Sequence, residues 1–176
     1  MKIETERTII RLPKESDFDF VKSMWLDGEV MKYVGFPKGL KISDNEIMDW
    51  IHNEDKPKIR LVIENKDTGK PIGETGWQLS SKYPHANGRK AASLEIKIGD
   101  KDYWGKGLAT EALKALLGYI FQNTDIEVCY TEPNLKNIAA LKLYKKLGFK
   151  KVGKPGIYTE GVQIPVHYQY MEIEKS

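Results

Sequence analysis

One join in the middle of the chain constrains the fold most. Ser93-Leu-Glu-Ile-Lys-Ile98 alternates strictly. This predicts a strand with Leu94, Ile96 and Ile98 on a buried face and Ser93, Glu95 and Lys97 on the other. A turn from Gly99 to Trp104 follows, then Gly105-Lys-Gly107, then a helix from Gly107 to about Gln122. Leu108, Ala112, Leu113, Leu116, Leu117 and Ile120 recur there at helical spacing. Glycines let a backbone approach a ligand with no Cβ in the way. The first helical turn adds unpaired N–H groups and the positive end of the dipole. The amides of Gly105, Lys106, Gly107, Leu108, Ala109 and Thr110 therefore form either an anion site or a plain tight turn. The pattern is neither a P-loop nor a Rossmann fingerprint.

The rest of the chain supplies the partners of this join. Strands are expected at Thr8 to Leu12, Ile59 to Glu64, Pro71 to Leu79 and Ile126 to Thr131. Two more are expected at Phe149 to Tyr158 and Gln163 to Glu174. Ser16 to Trp25 reads as a helix capped by Ser16 or Asp17. Ser43-Asp-Asn-Glu46 is a capping box opening a second one ahead of Ile47, Met48, Trp50 and Ile51. Lys136 to Leu147 reads as another helix, stopped by Gly148. Lys66-Asp-Thr-Gly-Lys70 reads as a turn and Ser80 to Lys90 as a surface loop. The order β-α-α-β-β-β-α-β-α-β-β predicts an α+β (mixed α/β) fold, residues 1–176 forming one domain.

Composition removes several function classes. The chain of 176 residues carries 28 Lys and Arg against 25 Asp and Glu, a formal charge of +3. That near balance, with no helix-turn-helix signature, argues against a nucleic-acid partner. No apolar run approaches the roughly 20 residues of a membrane span. The charged N-terminus lacks the apolar core of a secretory signal, so the expected location is cytoplasmic. Cys129 is the only cysteine. It excludes an internal disulfide and a cysteine zinc site, and reads as a small buried strand residue rather than a catalytic thiol. Lys145, Lys146, Lys150, Lys151 and Lys154 make a basic cluster. Asp44, Glu46, Asp49, Glu54 and Asp55 make an acidic one. A basic patch suits a polyanionic cofactor and an acidic one a cationic substrate, though both are also ordinary solvated surface.

A second segment sharpens the first. Asn134-Leu-Lys-Asn-Ile-Ala-Ala-Leu-Lys-Leu-Tyr-Lys-Lys-Leu-Gly-Phe149 carries Asn137 at a helix start, Tyr144 within it and Gly148-Phe149 at its end. With Trp104-Gly-Lys-Gly-Leu-Ala109, it resembles the GNAT superfamily of acyl-CoA-dependent N-acetyltransferases. That family's motifs are Gln/Arg-x-x-Gly-x-Gly/Ala and, later, Asn-x-x-Ala-x-x-x-Tyr-x-x-x-Gly-Phe. The match is close from about Leu94 to Phe149. The family's Gln/Arg position is Trp104 here, which is similar to the ribosomal-protein N-terminal and aminoglycoside 6′-N-acetyltransferase branch.

The resemblance implies a mostly antiparallel mixed sheet flanked by helices, and acetyl-CoA as co-substrate. It also implies direct transfer to a neutral amine. Tyr144 would then be the general acid near the sulfur. Glu95 would be the base, directly or through water, with Glu74 and His167 as weaker candidates that read better as structural or surface residues. Backbone groups of Ile96 and Ile98 would bind the pantetheine arm, and Asn137 would hydrogen-bond the arm, cap the helix, or both. Trp104 to Thr110 would hold the pyrophosphate, with Lys106 and Lys142 near the phosphates. The expected acceptor is a small cationic amine, aminoglycoside-like or polyamine-like. The acidic cluster together with Trp25 and Trp50 hints at the same. The alternatives are a protein N-terminus as acceptor, or a non-catalytic acyl-CoA-binding domain. The expected protein is a monomer or homodimer with no metal. Trp77, like the other tryptophans, reads as core.

Overall fold

The computed structural model describes residues 1–52 and 58–175. Glu54 and Asp55 of the acidic cluster lie outside the described residues. Eight strands form one sheet: β1 (Lys2–Glu4), β2 (Thr8–Arg11), β3 (Lys58–Asn65), β4 (Pro71–Ser80), β5 (Ala91–Ile98), β6 (Val128–Thr131), β7 (Lys150–Tyr158) and β8 (Val166–Glu174). The helices are α1 (Phe18–Leu26), α2 (Gly28–Met31), α3 (Asp44–His52), α4 (Leu108–Asn123) and α5 (Ile138–Lys146). The sheet order is β1-β2-β3-β4-β5-β6-β8-β7. Every pairing is antiparallel except β5 with β6. The fold is therefore the mixed, mostly antiparallel α+β arrangement expected.

Each sheet face has its own core. On one, α4 lays Leu113, Leu116 and Ile120, all fully buried, against Leu61, Ile63, Ile72 and Leu94. On the other, α1, α2 and α3 cover Val62 with Val21, Met24, Trp25, Ile47 and Trp50. The helix caps follow the sequence signals. The Ser43 hydroxyl accepts from the Glu46 amide at 3.3 Å, while the Glu46 carboxylate takes the Ser43 amide at 2.8 Å. Gly148 sits at φ 95°, the left-handed C′ position that stops α5.

The start of α1 differs in detail from expectation, and β1 and α2 are additional elements. Asp17 is the N-cap of α1 but its carboxylate does not cap the helix. It turns to Arg11 and the Lys14 amide, and a short 3-10 turn at Glu15–Asp17 leads into the helix. β1 and α2 carry no apolar period long enough to be read from sequence.

Cys129 lies in the interior of β6, with no exposed surface. Burial pushes its thiol up to about 12. The nucleophile is the thiolate, so the folded protein should resist a thiol reagent at neutral pH. Labelling should proceed only at the rate of unfolding; fast stoichiometric labelling of native protein would contradict this burial.

Candidate functional site

The site exists because two neighbouring strands part. β5 and β6 pair only from Ala91↔Val128 to Ser93↔Tyr130. Beyond that, the chain after β6 follows β8 instead. Thr131 pairs with Met171, Pro133 supplies no amide donor, and Leu135 and Gln169 bond across to His167 and Pro133. The C-terminal half of β5 thus has a partner on one edge only.

Its main chain points accordingly. The Glu95 carbonyl accepts from the Thr75 hydroxyl of β4 at 2.7 Å. The Lys97 carbonyl lies so close to Gly73 that a Cβ there would sit 2.2 Å from it. The intervening main-chain groups, those of Ile96 and Ile98, turn by strand alternation toward the gap. The Ile98 carbonyl already accepts one bond, from the Trp104 indole N–H at 2.7 Å. Trp104 is 43% exposed, yet this bond fixes its ring beside the opening.

Below the gap lies the glycine join. Gly105 and Gly107 take φ 72° and 79°, a backbone that side-chain-bearing residues seldom adopt. Nothing lies within 4 Å of where a Gly105 Cβ would be. Gly107 is the N-cap of α4 and brings no side chain to accept from the first-turn amides. Those donors, the helix dipole and the open approach suit a pyrophosphate. The loop is held from behind by Arg7, whose guanidinium donates to the Lys106 carbonyl at 3.0 Å and pairs with Glu111 at 2.7 Å.

Two hollows meet here. A cleft of about 780 Å³ runs from this loop past Ile98, Ile96 and Lys142 to Tyr144. A second cavity of about 410 Å³ lies between β5 and the residues after β6, lined by Glu95, Lys58, Glu132 and Tyr158 among others. Ile96, Lys97, Asn137, Ala140 and Tyr144 line both. Tyr144 is buried, edge-on to Phe149 with ring centroids 5.2 Å apart. Burial pushes its pKa up, while Thr131 and Lys97 pull it down less strongly. It therefore keeps its proton at neutral pH.

Glu95 stays ionised for the opposite reason. Burial would raise its pKa, but Lys97 and Lys58 outweigh that and hold it below the usual carboxylate range. Lys58 Nζ touches both carboxylate oxygens, at 3.0 and 3.1 Å. A primary ammonium thus already rests on Glu95 in the cavity.

Most sequence-derived candidates converge: Glu95, Ile96, Ile98, Trp104, the glycine loop, Asn137 and Tyr144 surround one continuous space. Lys106 leans over the Tyr103 ring at 5.5 Å. The Asn137 side chain caps α5 by accepting from the Ala140 amide at 3.1 Å, and the residue lines both hollows. Glu74 is buried and structural, and His167 is exposed, as expected.

Two carboxylates of the acidic cluster have local partners. Asp44 pairs with Lys22 and Glu46 closes the α3 capping box. Trp25 and Trp50 pack edge-on in the core at 5.5 Å, and Trp77 lines the cavity beside Glu95.

Sequence reasoning missed Glu132, Tyr33, Lys58 and Arg7. The carboxyl of Glu132 is pushed up by burial, against a hydrogen bond with Tyr170. Its only sequence signal is its place directly after a buried strand, before Pro133.

Known proteins resemble the chain at both levels. The acetyltransferase (GNAT) domain family matches residues 7–150. An uncharacterized N-acetyltransferase p20 of Bacillus licheniformis is 29% identical over 152 residues, covering 85% of this chain and 82% of that protein. An aminoglycoside N(6′)-acetyltransferase type 1 of Klebsiella pneumoniae is 26% identical over 95 residues, 48% of this chain and 45% of its own. In three dimensions, the spermidine N-acetyltransferase of Vibrio cholerae, solved with CoA and spermine, superposes with a TM-score of 0.77. It is 21% identical, over 97% of each chain.

Proposed function

The chain belongs to the GNAT acetyltransferase family and uses acetyl-CoA, and from that premise we propose that it acetylates a primary amine of a small cationic acceptor, polyamine-like or aminoglycoside-like. The observation that carries this reading is the meeting of the glycine-loop cleft with the Glu95 cavity at Tyr144. Acetyl-CoA, when bound, supplies the thioester. The amides of Gly105 to Thr110 hold its pyrophosphate, with Trp104 and Lys106 beside them. The gap-facing main-chain groups of Ile96 and Ile98 hold the pantetheine arm, joined by Asn137.

Glu95 receives the acceptor's ammonium, as it now receives Lys58, and takes its proton directly or through one water. The Ile96 main chain polarises the carbonyl that the amine attacks. Tyr144 gives its proton to the departing sulfur. Cationic acceptors are favoured because Glu95 and Glu132 both line a cavity walled by Tyr33, Tyr130 and Tyr158. Aromatic faces and carboxylates together suit an ammonium.

The test is thiol release from acetyl-CoA with polyamines, aminoglycosides, amino acids and N-terminal peptides. Turnover on the cationic small molecules is expected. Preference for peptides would give the N-terminal reading, and CoA binding without turnover on any amine would give a sensor.

Glu95→Gln should lower kcat/KM by up to about a hundredfold, the low end for acid–base catalysis, because a carboxylate with a depressed pKa is a weak base. In the wild type, Glu95 is ionised down to pH values below the ordinary carboxylate range. Its activity should fade only as pH falls through that depressed value. Glu95→Gln should lose that acid limb, and an unchanged profile would remove Glu95 as base.

A further inference from the structure

Lys97 has no assigned task, yet its charge is the most deeply fixed in the site. Its ammonium lies 2.6 Å from Glu74 Oε1, and its side chain is only 19% exposed. Glu74 is buried, and its other carboxylate oxygen accepts the Trp25 indole N–H at 3.1 Å. Trp25 is in turn wedged against Trp50. The cation is thus braced from the core of the α1 and α3 layer, and does not swing like a surface lysine.

The register explains its reach. Lys97 stands directly across from Glu74, and Glu95 across from Gly76. A Cβ on Gly76 would sit 2.2 Å from the Ile59 carbonyl, so that position is closed to side chains. Glu95 therefore has no cross-strand side chain on β4. Its charged neighbours include Lys97, two residues along its own strand and about 7 Å away at Cα, and Lys58 and Arg60 from β3. Lys97 also lines both hollows where Tyr144 does.

Among the described residues, the charged and titratable groups around the junction include those of β3, β4, β5 and α5, with Glu132 lining the same cavity. Lys58 and Arg60 come from β3, Glu74 from β4, Glu95 from its own strand and Tyr144 from α5. Glu29 of α2 shares the cleft but is paired with Lys32 at 2.8 Å. Lys97 holds the Glu95 pKa down together with Lys58 and Arg60, and it also pulls on Tyr144.

We propose that Lys97 is a positioning residue of the transfer: its ammonium, anchored by Glu74 and Trp25, keeps Glu95 an anion and offsets the negative charge that appears on Tyr144. This rests on the acetyl-transfer reading above. During transfer, Glu95 takes one proton from the acceptor ammonium. The nitrogen–carbon bond forms as the carbon–sulfur bond breaks, and Tyr144 gives its proton to the sulfur, which departs with the electron pair. Tyr144 then recovers a proton from the acylated nitrogen, and Glu95 releases its own to solvent. Between the loss of the Tyr144 proton and its return from the still-cationic nitrogen, the phenol oxygen itself is negative, and Lys97 is a buried cation that acts on Tyr144.

The decisive readout is the Glu95 carboxyl-carbon NMR titration in protein free of CoA, with kcat alongside. In Lys97→Met the Glu95 midpoint should rise by at least about one pH unit, the shift expected for losing an opposite charge at this range. Its kcat should fall about tenfold or more. Lys97→Arg should keep the midpoint near wild type. Glu74→Gln, which frees the Lys97 charge from its partner, should move the midpoint down, an opposite sign that a packing role does not produce. Should Lys97→Met fail to fold, the Lys97→Arg and Glu74→Gln pair carries the test. Equal Glu95 midpoints in wild type and Glu74→Gln, in an enzyme that turns over, overturn the inference and leave the acetyltransferase reading intact. Wild-type protein inert toward every amine overturns that reading, and the role of Lys97 in the reaction with it.

Discussion

Tyr144→Phe should lower kcat by about 10²- to 10⁴-fold, the range for loss of a positioned proton donor. The substitution removes one oxygen and leaves the ring. Its edge-on contact with Phe149 at 5.2 Å remains, so the α5 packing and the cofactor cleft should persist. Lost stability should stay near the roughly 1 kcal/mol of a single hydrogen bond, that with Thr131. CoA affinity measured by calorimetry should therefore match wild type while thiol release collapses. A phenol whose pKa is raised by burial stays protonated through neutral and mildly alkaline pH, and the wild-type alkaline limb should reflect that. Unchanged turnover in Tyr144→Phe would take this residue out of the reaction.

The cofactor half of this picture was legible because it is local. Alternation in β5, glycines at 105 and 107, and helical spacing in α4 and α5 are properties of short segments. Each maps onto one element that tertiary contacts do not overrule. Even so, the sequence could not show why the main-chain groups of Ile96 and Ile98 turn toward a gap in the sheet. That depends on β6 leaving β5 after Tyr130, a consequence of its pairing with β8 some forty residues later.

The acceptor half was opaque for the same reason reversed. Lys58, Glu132 and Tyr158 stand far apart in the chain and meet only once the sheet is assembled. The acidic cluster is close in sequence, and that closeness says nothing of the partners of its members. Its carboxylates Asp44 and Glu46 are engaged by Lys22 and Ser43. For Lys97 the alternation gave only its face of β5, because it says nothing about Glu74 across the ladder. Asn137 shows how one residue serves the helix and the cleft at once: its side-chain oxygen caps α5, and its position brings it to the junction.

The largest stability effect should come from a residue outside both hollows. Arg11 donates to Asp17 Oδ2 at 2.7 Å and Oδ1 at 2.9 Å, and to Glu64 at 2.6 Å. Side-chain exposure is 11% for Arg11, 2% for Asp17 and 16% for Glu64. Arg11→Met keeps most of the stem's volume but strands two carboxylates, and should cost about 3–5 kcal/mol. Adding Asp17→Asn should recover part of that loss, because the two sites share one network.

The pH dependence has a definite sign. In the wild type, hydrogen bonds from Arg11 and the Lys14 amide outweigh burial and hold the Asp17 pKa below that of an ordinary aspartate. Its contribution is full above the unfolded-state pKa, near 3.9, and is lost as pH falls through the lower folded value. Without Arg11, burial instead raises the folded pKa, so the variant takes up a proton at higher pH than the wild type. The gap between the two in urea unfolding should thus be widest at neutral pH and narrow on acidification. A gap constant across that range would mean that Arg11 acts through its packed stem and not its charge. The site is coupled to the outcome: Asp17 begins α1, α1 carries Trp25, and Trp25 braces the Glu74 that holds Lys97. Near its unfolding midpoint, Arg11→Met should therefore lose the Glu95 titration shift in step with the folded fraction.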